Sequence, residues 1–463
     1  MSLYLYNTKT RTKELFVARN TGHVSMYHCG PTVYDFVHLG NLRAYIFADT
    51  LRRIFEYEGF KVSQIINITD VGHLTTDADE GEDKVLQKAV KEKKTPQEIA
   101  TFYMESFKKD LAALNIKTKG TEFPKASEHV PEQIALIKKL EQRGYVYTTR
   151  DGVYFNTSKF PDYGKLARLN ISGLREGARI EKNPEKKYPT DFALWKFSKK
   201  DTHRAQEWDS PWGKGFPGWH TECSAMAMKY LGETLDIHTS GIDHIPTHHT
   251  NEVAQSEAAT GKTFVRYFMH NNHLLIENEK MSKSLGNFTT LFDVSEKGIS
   301  PLAYRYLLLG AHYRTLINFT WEALEGASRS LSKLSLFYLS LDETDSRGEE
   351  RAKEYGDRFK EYIEDDIDAP GALALLWIIV KDDGLGEKEK KELLKDFDRV
   401  FGLGFADLKK EPLPAHVEVL ADERKGAREE EDWARSDSLR KKIEKAGYSV
   451  KDTPEGQEIT KKL

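Results

Sequence analysis

His23-Val24-Ser25-Met26-Tyr27-His28-Cys29 alternates like a β-strand and stops at Gly30-Pro31. From Asn41 to Glu58 the period changes. Leu42, Tyr45, Ile46, Leu51, Ile54 and Phe55 form one apolar helical stripe, and Gly59 stands in the stop position. Lys61 to Thr69 then reads as a second strand around the buried-type pair Ile65-Ile66. Two strands joined through a helix need a crossover connection, so the stretch predicts a parallel sheet and an α/β fold.

Working outward, Thr95-Pro96-Gln97-Glu98 spells an N-cap, a first-turn proline and the glutamate of a capping box. It opens a helix with Ile99, Phe102, Tyr103, Phe107, Leu111 and Leu114 on one side. Between Gly120 and Lys199 the texture becomes Lys-rich and loop-rich, with hairpin-like pieces at Gly144–Tyr147 and Gly152–Phe155, and reads as an insertion. Sheet-like sequence resumes near Trp208 and runs past Val265. After Phe319 the pattern is helical, first Trp321 to Leu341 and then Arg351 to Val380. Pro412-Leu413-Pro414 marks off a small charged unit, in which residues 421–463 carry eleven basic and eleven acidic side chains. That is no polybasic tail.

The chain has 463 residues, 69 Lys and Arg against 73 Asp and Glu, and two cysteines. This length suggests about three domains at roughly 150 residues each. Two cysteines exclude a disulfide scaffold and a Cys-only metal cluster. The longest apolar run, Ala372 to Val380, is far short of the roughly 18 residues of a spanning helix, so no membrane role is expected. Met1 to Asn7 shows no secretory signal, and a soluble, reducing compartment is the expectation.

Two short motifs carry chemistry. His38-Leu39-Gly40-Asn41 sits where the helix begins, a position that favours phosphate and lets a ligand approach the glycine backbone. Taken alone it is equally a helix cap. Lys280-Met281-Ser282-Lys283-Ser284 suits a clamp on a triphosphate, acting where charge develops on a leaving pyrophosphate. Its bland alternative is a solvated basic loop, but by average usage the pentapeptide should occur by chance in roughly one such chain in several thousand. A third group is Cys29, Cys223, His248 and Glu252, a set able to hold zinc tetrahedrally. Spacing alone does not select it, because His249, His244 and His28 are no worse placed than His248.

The first two motifs resemble the paired signatures of class I aminoacyl-tRNA synthetases. Longer phrases resemble cysteinyl-tRNA synthetases along almost the whole chain. They include Cys29-Gly30-Pro31-Thr32-Val33-Tyr34-Asp35, Asn67-Ile68-Thr69-Asp70-Val71-Gly72-His73, Asp191-Phe192-Ala193-Leu194-Trp195-Lys196 and Trp208-Asp209-Ser210-Pro211-Trp212-Gly213. Gly218-Trp219-His220-Thr221-Glu222-Cys223-Ser224-Ala225-Met226 and Asp432-Trp433-Ala434-Arg435-Ser436-Asp437 join them. Some spellings differ. Asn41 replaces the second signature His, Thr239-Ser240-Gly241 stands where many relatives have a glycine run, and Pro246-Thr247 precedes the His pair.

The resemblance implies a Rossmann-like parallel-sheet catalytic domain, 1–119 and 200–265, split by a connective insertion at 120–199. A stem-contact segment at 266–319, an all-α bundle at 320–411 and an anticodon-binding unit at 412–463 would follow. It implies zinc on Cys29, Cys223, His248 and Glu252, and Mg2+ arriving with ATP. Cysteine contacts fall on Gly30, Thr69, Trp219 and His238. ATP contacts fall on His38, Gly40, Asn41, Gly241, Asp243 and Lys280 to Ser284, with His38, Asn41, Lys280 and Lys283 catalytic. Arg428, Trp433, Asp437 and Asp452 would meet the anticodon of tRNA(Cys). A cytosolic monomer is the family expectation.

A zinc site makes chemical sense of such an activity. An apolar slot separates near-isosteres by only about 1–3 kcal/mol. Zinc instead prefers a thiolate to an alcohol, and so cysteine to serine. Two other functions fit parts of the pattern. A ligase joining cysteine to a small amine has no use for the 412–463 unit, and a non-catalytic RNA-binding relative has no use for the intact Lys280 loop.

Overall fold

The computed structural model describes residues 2–71, 84–169, 185–198, 206–281, 287–409, 413–453 and 456–461. The predicted parallel sheet is its centre, five strands in the order Val265–Asn271, Leu235–Gly241, His23–His28, Lys61–Ile66, Thr121–Glu122. Both faces are covered, as a parallel sheet requires. Met26, Ile237 and Met269 enter a core shared with the helical region, while Tyr27, Ile65 and Phe268 enter a second core on the other side. From His23–His28 the chain crosses to one neighbour, Lys61–Ile66, and only much later adds the other, Leu235–Gly241. That reversal opens a crevice at the carboxyl ends of the strands, where Cys29 and Gly241 lie.

The crossover helix is Leu39–Tyr57, starting two residues before the predicted Asn41. His38 is the reason. Its Nδ1 accepts the Asn41 backbone N–H at 3.1 Å, and Asn41 Oδ1 accepts the His38 N–H at 3.2 Å, a reciprocal cap. The next strand ends at Ile66, not Thr69. Beyond it Asn67 and Thr69 turn to the loop after the first strand: Asn67 Oδ1 accepts the Gly30 N–H at 2.9 Å, and Thr69 N–H donates to Pro31 O at 3.1 Å.

The insertion contains the predicted hairpin, with Tyr147 paired to Tyr154. It extends into a four-stranded antiparallel sheet through Phe192–Phe197 and Gly215–Pro217, beyond the expected border at 199. Glycines permit the last step, since a Cβ at Gly218 would lie 2.0 Å from Ala193 O. The parallel sheet likewise passes its expected border, reaching Glu122. A helix missed among the lysines, Val130–Gln142, buries Leu136, Ile137 and Leu140 against Phe155 and Trp195. The stretch read as sheet-like from Trp208 to Val265 holds two helices, Trp219–Leu231 and Thr250–Thr260. Both are buried nearly all round, so neither shows an amphipathic stripe.

The helical region is Trp321–Ser340, Glu349–Glu364, Ala369–Val380 and Glu387–Phe401. The single helix predicted for 351–380 is broken at Asp366 and Ile367, both at positive φ, ahead of Pro370. The buried Asp366 carboxylate holds the break. It accepts from Tyr6 N–H at 2.8 Å, Tyr313 O–H at 2.7 Å and Arg314 Nε at 2.9 Å. A wholly buried Arg305 joins this region to the crossover helix, with Nη2 2.5 Å from Asp49 Oδ2, Nε 2.5 Å from Phe401 O and Nη1 3.0 Å from Leu114 O. The C-terminal unit has two helices, Ala415–Glu429 and Trp433–Lys445, and the hairpin Tyr448–Thr453/Gly456–Lys461. Val417, Ile443, Tyr448 and Val450 form its own small core.

Candidate active site and metal centre

A cavity of about 560 Å³ opens at the carboxyl end of the sheet. Cys29, Gly30, Thr69, Trp219, Cys223 and His248 line its inner part, and His38, Gly40, Asn41, Gly241, Asp243 and Met281 also border it. The expected cysteine and nucleotide contacts therefore share one space, with two exceptions. His238 does not border it: this wholly buried ring places Nε2 3.0 Å from Glu252 Oε2, behind the candidate ligand rather than beside a substrate. Ser282, Lys283 and Ser284 lie outside the described residues, as does the side chain of Lys280.

Gly30 is a steric necessity. A Cβ there would lie 1.4 Å from Asn67 O, so only glycine lets these segments close under Cys29. The cap fixes the end of the cavity at the helix start. Because His38 Nδ1 accepts the Asn41 N–H, the proton of a neutral ring lies on Nε2, and burial lowers the His38 pKa to about 4. His38 is thus a neutral donor. Asn41 spends Oδ1 on the cap and keeps its NH2 for a ligand.

The buried atoms of Cys29, Cys223, His248 and Glu252 all lie within 4.8 Å of one another. A second combination, Cys29, His238, His249 and Glu252, meets the same limit and shares two members. Hydrogen bonding separates them. His249 Nε2 is 3.4 Å from Cys29 Sγ, and His238 Nε2 serves Glu252. His248 uses Nδ1 toward His220 at 3.0 Å, while its buried Nε2, 2.8 Å from Glu252 Oε1, has no aligned hydrogen-bond partner among the described residues. A ring nitrogen set among two sulfurs and a carboxylate suits a metal ligand once its proton is displaced. His28 turns away, its Nδ1 2.6 Å from Thr239 Oγ1. Of the four histidines weighed from sequence, His28 and His244 belong to neither combination, and His248 is the one whose Nε2 faces Glu252 within the first.

Electrostatics agree with a cation-binding set. The Cys29 sulfur beside it, helped by His248, lowers the Cys223 thiol to about 6. Burial, with Cys223 and Glu252 alongside, pushes Cys29 well above the usual thiol range. Burial opposes charging of His248, but Glu252 and Cys223 outweigh it and lift its pKa to about 10. Burial works against the Glu252 carboxylate too, yet His238 and His248 hold it well below the usual range. Each negative group thus has a proton-bearing neighbour, whose place a divalent ion can take. Burial, together with the facing His238, leaves the outer rings His249 and His270 well below the normal histidine range and so neutral.

The residues expected to meet an anticodon fall in the C-terminal unit. Trp433 is 58% exposed, and the Arg428 guanidinium lies 5.5 Å from its ring centre. Asp437 is exposed. Asp452 is already engaged, with Arg424 at 2.9 Å, Arg428 at 3.2 Å and Arg440 at 3.3 Å. Its exposed carboxylate gathers three guanidinium groups around it.

Comparison with known proteins gives a consistent result. Residues 15–329 match the model of the class I (C) tRNA synthetase catalytic domain, and residues 410–459 match that of the cysteinyl-tRNA ligase anticodon binding domain. Cysteine--tRNA ligase 1 of Burkholderia lata is 46% identical over 99% of this chain and 97% of its own. The Treponema denticola cysteine--tRNA ligase is 42% identical over 100% of both. Among solved structures, Mycobacterium tuberculosis methionyl-tRNA synthetase with methionyl-adenylate covers 83% of this chain and 90% of its own, with TM-score 0.58 and 15% identity, a likeness of fold. Sheet order, cavity and full-length identity together make this chain a member of the cysteine–tRNA ligase family of class I aminoacyl-tRNA synthetases.

Proposed function

We propose that the chain activates L-cysteine with Mg2+-ATP and passes it to the terminal adenosine of tRNA(Cys), using the residues gathered in the cavity. The observation that carries this reading is that three of the buried quartet, Cys29, Cys223 and His248, border the same space as the capped helix start, with Glu252 just behind them. Cys29, Cys223, His248 and Glu252 would hold zinc, which when bound supplies a coordination position that takes a thiolate in preference to an alcohol.

In the first step the cysteine carboxylate attacks the α-phosphorus. One P–O bond forms as the bond to pyrophosphate breaks, and the pyrophosphate leaves with its magnesium. His38 Nε2–H, the Asn41 NH2 and the helix start are donors for the charge that builds on the phosphate oxygens. Lys280 and Lys283 would complete the clamp. In the second step a ribose hydroxyl of the tRNA attacks the carbonyl, its proton leaves with the departing AMP, and no side-chain nucleophile is needed. The 412–463 unit would bring the anticodon to Trp433, Arg428, Asp437 and the Asp452 cluster.

ATP–pyrophosphate exchange with cysteine and with serine, followed by charging of tRNA(Cys), tests the proposal. Exchange with cysteine alone, then charging, is expected. No cysteine-dependent exchange would overturn the assignment, and exchange without charging would point to an amide-forming ligase. Lys283→Ala should lower kcat for exchange by about a hundredfold with the melting curve unchanged. Gly40→Ala should cost roughly tenfold or more, because the new Cβ would lie 3.0 Å from His38 Cε1 and displace the donor ring. Exchange kinetics would show it as a loss of kcat.

A further inference from the structure

Behind Cys29 runs a buried line of hydrogen bonds for which the reaction itself has no role. Cys29 Sγ is 3.4 Å from His249 Nε2, His249 Nδ1 is 2.8 Å from His270 Nε2, and His270 Nδ1 is 2.8 Å from Thr8 Oγ1. Thr8, His249 and His270 are all buried. The N-terminal hairpin Tyr4–Asn7/Thr12–Leu15 delivers Thr8 to this place. Asn7 clasps the edge strand, donating to Arg266 O at 2.9 Å and accepting from Phe268 N–H at 3.1 Å, and Thr8 N–H donates to Phe268 O at 2.8 Å.

The line has only one consistent direction once Cys29 is a metal-bound thiolate. A thiolate only accepts, so His249 must carry its proton on Nε2. His249 Nδ1 is then an acceptor and needs His270 Nε2–H. His270 Nδ1 is in turn an acceptor and needs a donor, which is the Thr8 hydroxyl. The same assignment has a second consequence. A ring nitrogen that carries a proton cannot ligate, and His249 belongs to the competing set of Cys29, His238, His249 and Glu252.

We propose that Thr8 is a positioning residue of the metal centre: by fixing the tautomers of His270 and His249 it aims a donor at the Cys29 sulfur and withholds His249 from the metal, so that His248 is the imidazole ligand. This rests on the zinc reading of the quartet. The role falls to a residue some 20 positions from Cys29 in sequence and explains why a hairpin so far from the substrate is pinned to the sheet.

Thr8→Val keeps the shape and removes the donor, and Thr8→Ser restores it. Chelator competition on zinc-loaded protein should give Thr8→Val about 10–100-fold weaker metal binding, with Thr8→Ser close to wild type. In cobalt-loaded protein, Thr8→Val should shift the sulfur-to-cobalt charge-transfer band, a change that a purely structural role would not produce. His270→Leu removes the donor from the next link and should match Thr8→Val, which keeps the test decisive if the valine variant folds poorly. Wild-type affinity and an unshifted band in a folded Thr8→Val or His270→Leu protein would overturn the inference while leaving the zinc assignment standing. A wild-type protein that retains no zinc in the same assay would overturn both.

Discussion

Cys223→Ser is expected to lose zinc at chelator concentrations that wild type withstands. It should raise the KM for cysteine by about a hundredfold or more, with the KM for ATP nearly unchanged. Cys223 lies on the Trp219–Leu231 helix, 1% exposed and packed in a core with Tyr27 and Met226, so a serine fits without rearrangement. Its chemistry does not fit. The thiol here is lowered to about 6 and is ready to ionise, whereas a serine hydroxyl stays protonated and is a poor zinc ligand. Structural zinc sites contribute roughly 10–16 kcal/mol, so one ligand in four is worth roughly 3–4 kcal/mol, a factor of several hundred in affinity. The proposed nucleotide contacts lie on other elements, the helix start at His38 and the Gly241–Asp243 turn, which should separate the two KM values. Metal analysis beside exchange kinetics checks both halves. Full zinc occupancy with an unaltered cysteine KM would remove Cys223 from the ligand set. Discrimination against serine should fall with the metal, because what remains is an apolar slot worth only about 1–3 kcal/mol.

The parts of this molecule legible from sequence are those with a one-dimensional signal. The strand–helix–strand opening follows from periodicity, and the cap at Thr95 from its spelling. The observed helix there is Pro96–Ala113, with Thr95 Oγ1 accepting from Glu98 N–H at 3.2 Å. Other features had no such signal. Trp219–Leu231 and Thr250–Thr260 are buried nearly all round, and burial erases most of the polar face by which a helix is recognised. The break at Asp366 depends on Tyr6, Tyr313 and Arg314, partners far away in the chain. The metal set shows the same limit. Residue types named four candidates for its imidazole; only in three dimensions do His28 and His244 fall outside both buried combinations, His249 turn Nε2 to Cys29, and His248 turn Nε2 to Glu252. Arg424 and Arg428 stand one turn apart on a single helix, but only the packing of the second helix and the terminal hairpin brings Arg440 and Asp452 to them.

Arg305→Ala is expected to be among the most destabilising single changes in the chain, about 3–5 kcal/mol by urea denaturation. The estimate comes from what the guanidinium leaves behind. Asp49 is 1% exposed, and although burial disfavours its charge, Arg305 and Arg53 keep its pKa below the ordinary carboxylate value. Removing Arg305 strands part of that buried charge, which typically costs this much. It also abandons two buried carbonyls, Phe401 O from the helical region and Leu114 O from the end of the Pro96–Ala113 helix. Arg305→Lys should recover little, since an ammonium cannot meet one carboxylate and two carbonyls in the plane of a guanidinium. Gly402 offers an independent check on the same joint. Its φ is +65°, and an added Cβ would lie 2.8 Å from both Arg305 Nη2 and Arg53 Cζ, so Gly402→Ala should also destabilise. Part of that cost comes through the guanidinium it displaces. The double variant Arg305→Ala/Gly402→Ala should therefore lose less than the sum of the single losses, by at least about 0.5 kcal/mol. Strict additivity would mean that the glycine acts through its backbone or through Arg53 and not through Arg305, while a loss under about 1 kcal/mol for Arg305→Ala alone would remove Arg305 as the contact holding this joint.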